Sequence, residues 1–258
     1  MLLAIDVGNT NIVLGVFDKT TLVQSWRLQT QRERTADELG LLVEGLFAHA
    51  GIDKSRIHGI IIGSVVPPLT SSTVAMAQRY LGVKAFVVDP ERNAGMPILT
   101  DNPAEVGAHR IVNAIAAHEQ FGGNGRPLIV CDFGTATTLD AVTGKGEYLG
   151  GAMCPGVTIS ADALFQRAAR LPRIDVRKPS RVVGRTTVGA MESGLFYGYV
   201  GMVEGLVRRM SDELGGNAIS VATGGLADVI APETKLIDHV DVDLTLRGLR
   251  IVWQRNQP

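Results

Sequence analysis

The chain has 258 residues, of which 45% are hydrophobic and 20% charged, and its formal net charge is −1. This composition is typical of a folded globular protein, and the near-zero charge excludes a global attraction to nucleic acid or anionic membranes. No apolar run approaches the ~20 residues that cross a bilayer, and the first residues lack the basic segment of a signal peptide. We therefore expect a cytoplasmic protein that binds neither nucleic acid nor membrane.

The first predicted elements are two short strands joined by a turn of small polar residues. Residues 2–5 and 12–17 are apolar, and the sequence DVGNTN, from Asp6 to Asn11, lies between them. Glycine and asparagine allow a tight reversal, and the backbone N–H groups of such a turn suit a phosphate chain. Asp6 could hold the accompanying Mg²⁺, directly or through water. The alternative is an ordinary asparagine-rich hairpin turn.

The remaining first half alternates helices and strands. The expected elements are, in order, a strand at 22–28, a helix from the capping box of Thr35 and Glu38 to Gly51, a strand at 58–66, a helix at 71–80, a strand at 85–89, and a helix from Pro103 to Phe121. This order indicates a mixed α/β sheet domain. Arg110 lies near the start of the last helix, where the helix dipole favours anions. Its cation therefore indicates either an anionic ligand at that point or a solvated or ion-paired arginine.

A second strand–turn–strand unit begins the other half of the chain. The sequence LIVCDFGTATTL, at 128–139, again places an aspartate, Asp132, after an apolar strand and before small residues. Asp6 and Asp132 are separated by almost half the chain length. Two such units indicate a duplicated domain, with two phosphate-holding turns that face each other across a cleft.

The second half repeats the alternation of strands and helices. The expected elements are a strand to Val142, a strand at 147–153, helices at 159–169 and 186–214, a strand at 219–223, and a last helix at 244–253 that packs on the second domain. Between Arg167 and Arg185, seven basic residues accompany one acid, which indicates either attraction of an anion or a solvated face. The two cysteines, Cys131 and Cys154, lack metal-site spacing and are expected to be reduced thiols.

Small residues recur on one face of the predicted helix at 186–214. Glycine costs ~1 kcal/mol in a helix interior, so such a face indicates close approach of another backbone. We infer a tight helix–helix contact, between the two halves or between two protomers, at Ala190, Gly194, Gly198, Gly201 and Gly205. After the strand at 219–223, Gly224 and Gly225 form a turn that can admit a flat ligand.

The motifs, in this order, resemble one family over essentially the whole chain. They are DVGNTN at Asp6, NPAEVGAHR at Asn102, DFGTATT at Asp132, GGAMCPG at Gly150, TTVGAMESG at Thr186 and TGG at Thr223. The family is the type III pantothenate kinases, also called Bvg accessory factor-like, of the acetate and sugar kinase, heat-shock ATPase and actin superfamily.

The resemblance implies a fold and an activity. It implies duplicated ribonuclease-H-like (actin-like ATPase) domains, at 1–121 and 122–258, and a homodimer with the substrate site at the subunit interface. The implied reaction transfers the ATP γ-phosphate to the hydroxyl of pantothenate, the first step of coenzyme A synthesis. Mg²⁺ with ATP and a monovalent cation, K⁺ or NH₄⁺, are the implied cofactors.

The resemblance also implies site residues by position. ATP and its Mg²⁺ would be held by Asp6, Val7, Gly8, Asn9, Thr10, Asn11, Ile12 and Val13, with Thr135 as a further ATP contact. Asp132 would bind the monovalent cation, and Thr223 to Gly225 would lie by the nucleotide. Pantothenate would be contacted by Thr100, Gly107, Ala108, His109, Arg110 and Thr187.

The chain departs from the family pattern in the implied substrate site. The family motif is Gly-Ala-Asp-Arg, with the aspartate as proton acceptor, whereas His109 stands at that position here. Thr100 stands where the family often has an aromatic residue. A neutral imidazole accepts a proton near neutral pH, so His109 can be the catalytic base. The alternatives are a catalytically impaired nucleotide-binding homologue with a regulatory role and a kinase for another small acceptor.

Overall fold

The computed structural model describes residues 1–167 and 172–257. It separates into two compact units that are not contiguous in sequence. The first unit holds Met1–Pro97, Asp101–Ala116 and Leu244–Pro258, and the second holds Ile98–Thr100 and Ala117–Asp243. This division differs from the single boundary expected between residues 121 and 122. Residues 168 and 169 of the predicted helix and Arg170 of the basic run lie outside the described residues.

Ten strands and seven α-helices make up the described chain. The strands are β1 Leu2–Val7, β2 Asn11–Asp18, β3 Thr21–Gln29, β4 Gly59–Ser64, β5 Ala85–Val87, β6 Leu128–Phe133, β7 Ala136–Val142, β8 Tyr148–Pro155, β9 Ile219–Thr223 and β10 His239–Val240. The helices are α1 Ala36–His49, α2 Pro67–Leu81, α3 Ala108–Phe121, α4 Val157–Arg167, α5 Thr187–Glu213, α6 Ala227–Ile230 and α7 Leu244–Arg255.

Each unit contains a five-stranded mixed sheet, and the two sheets have the same strand order. The first runs β3-β2-β1-β4-β5 and the second β8-β7-β6-β9-β10. In each sheet, the two pairings among the first three strands are antiparallel. The other two pairings are parallel: β1 with β4 and β4 with β5 in the first sheet, and β6 with β9 and β9 with β10 in the second. The duplicated α/β fold predicted from the two aspartate turns is therefore confirmed.

One face of the first sheet packs on α1 and α2. Leu3, Ile5 and Val7 of β1 point to this face and are completely buried in one apolar cluster, with Val43 and Phe47 of α1. The predicted capping box starts α1, because the Thr35 hydroxyl accepts from the Glu38 N–H while the Glu38 carboxylate accepts from the Thr35 N–H. These hydrogen bonds lower the pKa of Glu38.

The opposite face of the first sheet is covered by α7, so the expectation that this helix packs on the second domain is wrong. Three of the sheet residues beneath α7 are glycines. A Cβ added to Gly15 would lie 2.7 Å from Leu246, and one added to Gly63 would lie 3.0 Å from Leu249. Gly59 lies beneath the Trp253 ring in the same way. Helical periodicity predicted the apolar stripe of α7 but could not predict which sheet it covers.

Two helices begin at places that differ from the sequence expectation. Helix α2 begins at Pro67, four residues before the predicted start, because proline is tolerated in the first turn, where its missing N–H has no helical partner. In contrast, Pro103 begins only a 3₁₀ turn at Pro103–Glu105, and α3 starts at Ala108. His109 and Arg110 therefore lie in the first turn of α3.

The second unit packs α5 on its sheet. Ile129, Cys131 and Phe133 of β6 share one apolar cluster with Phe196 and Val203 of α5. Cys131 is fully buried, and burial raises the pKa of its thiol. Both cysteines are free thiols, as expected. None of the described helices has the length and apolar character needed to span a membrane.

The packing of α7 makes a testable prediction at Gly248. A Cβ at this position would meet the carbonyl of Val112, so we expect Gly248→Ala to lower the free energy of unfolding by about 1–3 kcal/mol. The control is Gly45→Ala in α1, where a Cβ meets nothing within 4 Å; it should be neutral or stabilise by up to about 1 kcal/mol. Urea denaturation measures the free energy of unfolding of both variants. Equal effects would contradict the close approach of α7 to Val112 of α3.

Candidate functional site

The turn after β1 is a tight hairpin that presents its polar tip to solvent. Asp6 pairs with Val13, and Val7 pairs with Ile12, across the antiparallel ladder of β1 and β2. The Gly8 N–H donates to the Asn11 carbonyl at 3.0 Å, which closes the turn. Asn9 and Thr10 at its tip are exposed.

The predicted ATP-binding residues of this turn differ in what they can offer a ligand. Val7 and Ile12 are buried in the core, with exposed fractions of 0% and 2%. Their side chains are therefore unavailable, and only their backbone could face a ligand. Asp6 is half-buried, so its carboxylate oxygens combine partial shielding with access to solvent.

Parallel pairing brings a second segment to the same end of the first sheet. Val7 pairs with Ser64 at the end of β4, and the Val65 N–H continues the ladder by donating to the Val7 carbonyl at 3.1 Å. A Cβ added to Gly107 would lie 3.5 Å from a methyl group of Val65. The DVGNTN turn and the start of α3 therefore meet the same loop, at the carboxyl ends of two parallel strands, where α/β proteins bind ligands.

His109 lies against Gly107 at the start of α3. The position of a Gly107 Cβ is 3.4 Å from His109 Cε1 and 3.6 Å from Nδ1. The Arg110 N–H donates to the Gly107 carbonyl at 3.0 Å, which fixes the bend between the segment and the helix. His109 and Arg110 are half-buried, whereas Ala108 is buried. The imidazole therefore lies close beside Gly107, and His109 is only partly shielded from solvent.

The second unit repeats the arrangement of the first turn. Asp132 pairs with Thr138 across β6 and β7, and the Gly134 N–H donates to the Ala136 carbonyl at 3.2 Å. Asp132 also pairs in parallel with Thr223 of β9. The next residue, Gly224, has φ +91°, and a Cβ there would lie 2.5 Å from Asp132 Oδ1. Only glycine allows this close approach of the TGG turn to the Asp132 carboxylate.

A buried polar network supports β7 behind the second turn. Asp140 is 1% exposed and accepts hydrogen bonds from the Thr138 hydroxyl at 3.0 Å and the Tyr148 hydroxyl at 2.6 Å. The hydroxyls of Thr137 and Tyr199 are also hydrogen-bonded, and burial raises the pKa of Tyr199. Sequence reasoning missed this network, although polar residues inside an apolar strand were a signal for it.

Two predicted substrate residues belong to the second unit, whereas Gly107 to Arg110 belong to the first. Thr100 lies beside Gly150, and its buried hydroxyl has no hydrogen-bond partner among the residues that the structure describes. Thr187 is exposed and is the first residue of α5. The preceding Thr186 caps that helix by accepting from the Gly189 N–H at 3.0 Å.

The basic run borders a cavity of about 420 Å³ beside the start of α5. Arg177, Lys178, Arg181 and Arg185 line this cavity. The first two are ion-paired, because Arg177 lies 2.9 Å from Glu192 and Lys178 lies 2.8 Å from Glu233. Two of these four basic residues are therefore paired with carboxylates, while Arg181 and Arg185 are exposed.

The residues that follow β3 form hydrogen bonds with the first turn. Sequence reasoning also missed these contacts. The Thr30 hydroxyl donates to the Gly8 carbonyl at 2.7 Å, and the Thr30 N–H donates to the Thr10 carbonyl at 2.9 Å. Two residues later, a guanidinium nitrogen of Arg32 lies 3.5 Å from Asn9 Oδ1. No local motif signals these contacts, because they join residues twenty or more positions apart.

The oxygen donors of the two turns fit a metal ion bound together with phosphate. Across residues 1–167 and 172–257, no group of three or more His, Cys, Asp or Glu side chains could hold a metal ion. Mg²⁺ in nucleotide sites takes one or two carboxylates and completes its shell with phosphates and water. The half-buried carboxylate of Asp6, beside an exposed polar turn, meets that requirement.

Comparisons with known proteins agree on one family. The model of the family described as Type III pantothenate kinase matches residues 2–209. The type III pantothenate kinase of Myxococcus xanthus (strain DK1622) is 54% identical over 256 residues, covering 99% of this chain and 99% of the relative. That of Moorella thermoacetica (strain ATCC 39073 / JCM 9320) is also 54% identical over 256 residues, covering 99% and 100%.

A solved structure shows the same fold at low sequence identity. It is that of a candidate 2-dehydro-3-deoxygalactonokinase from Sinorhizobium meliloti, with a TM-score of 0.61 and 14% identity. The alignment covers 100% of this chain and 97% of the other.

The contact of Gly224 with Asp132 makes a testable prediction. Gly224→Ala and Gly215→Ala both force a side chain onto a positive φ, but a Cβ at Gly215 meets nothing within 4 Å. We expect Gly224→Ala to lower the free energy of unfolding by about 1–3 kcal/mol more than Gly215→Ala, because its Cβ meets the carboxylate and the backbone of Phe133. Denaturant titration measures the difference, and equal losses would contradict the contact.

Proposed function

The chain belongs to the type III pantothenate kinase family, and we propose that it transfers the γ-phosphoryl group of ATP to the hydroxyl of pantothenate. The product is 4′-phosphopantothenate, so the reaction is the first step of coenzyme A synthesis. The observation that carries the proposal is the 54% identity to a type III pantothenate kinase over 99% of both chains. The duplicated fold with an aspartate turn in each unit supports the same reaction.

We propose that the first turn binds the phosphates of ATP. The exposed tip at Asn9 and Thr10 and the closed loop around Gly8 support backbone and side-chain contacts to phosphate oxygens. Asp6 would hold the Mg²⁺ that accompanies ATP, and this ion neutralises phosphate charge when it is bound. Thr135, exposed in the second turn, is a further proposed ATP contact. Val7 and Ile12 would contribute only through their backbone.

We propose that Asp132 binds a monovalent cation, K⁺ or NH₄⁺. Asp132 is half-buried, and its carboxylate supplies the negative charge. The backbone of Gly224 lies close to this carboxylate and limits the space beside it. A singly charged cation needs less compensating charge than a divalent one, and the Asp132 carboxylate supplies one negative charge. The turn from Thr223 to Gly225 would then lie by the nucleotide.

We propose that His109 is the catalytic base and that Arg110 binds the acceptor. The pantothenate hydroxyl attacks the γ-phosphorus, the bond from that phosphorus to the β–γ bridging oxygen breaks, and the hydroxyl proton passes to the imidazole. The position of the partly accessible His109 ring beside Gly107, at the start of α3, supports this role. Arg110, Gly107 and Ala108 would line the acceptor site, together with Thr100 and Thr187.

The function is tested by pantothenate-dependent ADP release at saturating ATP with Mg²⁺ and K⁺. We expect the unmodified protein to turn over. His109→Ala should lower kcat by about 100-fold or more, because it removes the base. His109→Asp should remain active, because a carboxylate in the same place can also accept the hydroxyl proton. His49→Ala, which removes an exposed histidine of α1, is the matched control.

Two outcomes of this assay would contradict the proposal in different ways. Turnover by His109→Asp alone would mean that the chain is a kinase scaffold that has lost its base, as in the regulatory alternative. No turnover by any variant, with ATP binding intact, would mean that pantothenate is the wrong acceptor.

We propose that the protein is a homodimer that associates through α5. Gly194, Gly198 and Gly201 are exposed on this helix, and a Cβ added to any of them meets nothing within 4 Å. A glycine face allows close backbone approach, and within one chain the described residues leave these three positions uncovered. A second copy is the occupant that the family resemblance implies.

The homodimer proposal predicts that Gly198→Leu weakens association. The larger side chain would separate the two helices, so we expect the dimer dissociation constant to rise at least about tenfold. Gly45→Leu makes the same substitution at an exposed helix position of the first unit and should leave the constant unchanged. Sedimentation velocity over a concentration series measures it. Equal behaviour of the two variants would remove α5 from the interface.

We also propose a cytoplasmic location. The proposed substrate ATP is made and used there, and free thiols such as Cys131 and Cys154 are usual in a reducing compartment.

A further inference from the structure

The segment that follows β3 is attached to the tip of the first turn. Thr30 uses both its hydroxyl and its N–H for this attachment, donating to the carbonyls of Gly8 at 2.7 Å and Thr10 at 2.9 Å. Two bonds to residues only two positions apart fix the segment against the turn. Whatever binds at the tip of the turn therefore also faces the residues that follow Thr30.

Arg32 is the cation that this attachment brings to the tip. Its guanidinium is exposed and lies 3.5 Å from Asn9 Oδ1, at the outer limit of a hydrogen bond. In the described part of the chain, no Asp or Glu side chain forms an ion pair with Arg32. By comparison, the nearby Arg34 donates to the Gln29 carbonyl, and Arg56 is paired with Asp18.

An unpaired guanidinium beside a phosphate-binding turn has a specific chemical use. Its planar fork of N–H donors matches two oxygens of a phosphate, and its charge offsets the negative charge of the phosphate chain. The neutral Asn9 amide holds it only weakly, so binding to a phosphate requires no ion pair to break. During phosphoryl transfer, a cation at this place also stabilises the charge on the phosphate oxygens.

We infer that Arg32 is an ATP-binding residue that contacts the β- or γ-phosphate, and that Thr30 is a positioning residue that sets the turn for this contact. The inference rests on the proposed binding of ATP at the first turn. It adds a third element, the end of β3, to the two aspartate turns.

The first experiment measures Mg²⁺-dependent binding of ATP and of AMP by isothermal titration calorimetry. We expect Arg32→Ala to weaken ATP binding about tenfold and to leave AMP binding unchanged, because AMP lacks the β- and γ-phosphates. The ATP affinity of Arg32→Lys should lie between those of the unmodified protein and Arg32→Ala, since lysine keeps the positive charge but lacks the planar pair of N–H donors. Arg56→Ala, which removes the same charge beside Asp18 at the other end of β2, should bind ATP as the unmodified protein does.

The second experiment separates positioning by Thr30 from a general effect on stability. Thr30→Val removes the hydroxyl that bonds to Gly8, and Thr30→Ser keeps it. We expect Thr30→Val to raise the KM for ATP several-fold without changing the KM for pantothenate, and Thr30→Ser to restore it. A purely structural role would lower the melting temperature of Thr30→Val and leave the ratio of the two KM values unchanged.

The outcomes distinguish this inference from the proposed function. If the unmodified protein binds ATP and Arg32→Ala binds it equally well, the role of Arg32 is wrong while the proposed function stands. An equal loss of ATP and AMP binding would also overturn the inference, because the contact would not be with the outer phosphates. If the unmodified protein does not bind ATP, both the proposed function and the inference are wrong.

Discussion

The parallel pairing of β1 with β4 is the constraint on which the candidate site depends. It puts the carboxyl end of β1, with Asp6 and the turn that follows, beside the carboxyl end of β4. The ladder continues one step further through Val65, and a methyl group of Val65 lies 3.5 Å from the position that a Cβ of Gly107 would take, at the start of the segment that carries His109. About a hundred residues separate the DVGNTN turn from His109 in sequence. The register of β1 with β4 is therefore what brings both to the same end of the sheet.

In the second unit, a parallel strand pairing likewise brings a loop next to an aspartate. Pairing of β6 with β9 brings Gly224 against Asp132, as pairing of β1 with β4 brings Val65 against Val7. In both units a carboxylate follows an apolar strand and stands next to a loop from a parallel neighbour. Duplication therefore preserved the position of the aspartate and its neighbour strand, while the loops around them diverged.

The sequence was sufficient to predict what local patterns determine. Period-two and period-3.6 apolar spacing predicted most strands and helices, the repeated aspartate turn predicted the duplication, and Thr35 with Glu38 predicted the start of α1. Long-range contacts were not predictable in this way. The clamp of Thr30 on Gly8 joins residues 22 positions apart, and the hydrogen bond of Tyr199 to Thr137 joins residues 62 apart. The position of α7 on the first sheet depends on glycines in distant strands. The sequence of the helix alone does not show which sheet it covers.

The place of α7 also affects how the protein can be made. The ribosome delivers β1, β2 and β4 early, but the twelve-residue helix that covers Gly15, Gly59 and Gly63 emerges much later. All the strands of the second unit are synthesised in between, so the second unit can mature while one face of the earlier sheet still waits for its cover. A chain that stops before Leu244 would carry every residue of the DVGNTN turn on a sheet with an exposed apolar face. An exposed apolar face favours aggregation, so synthesis of α7 becomes a condition for a lasting first unit.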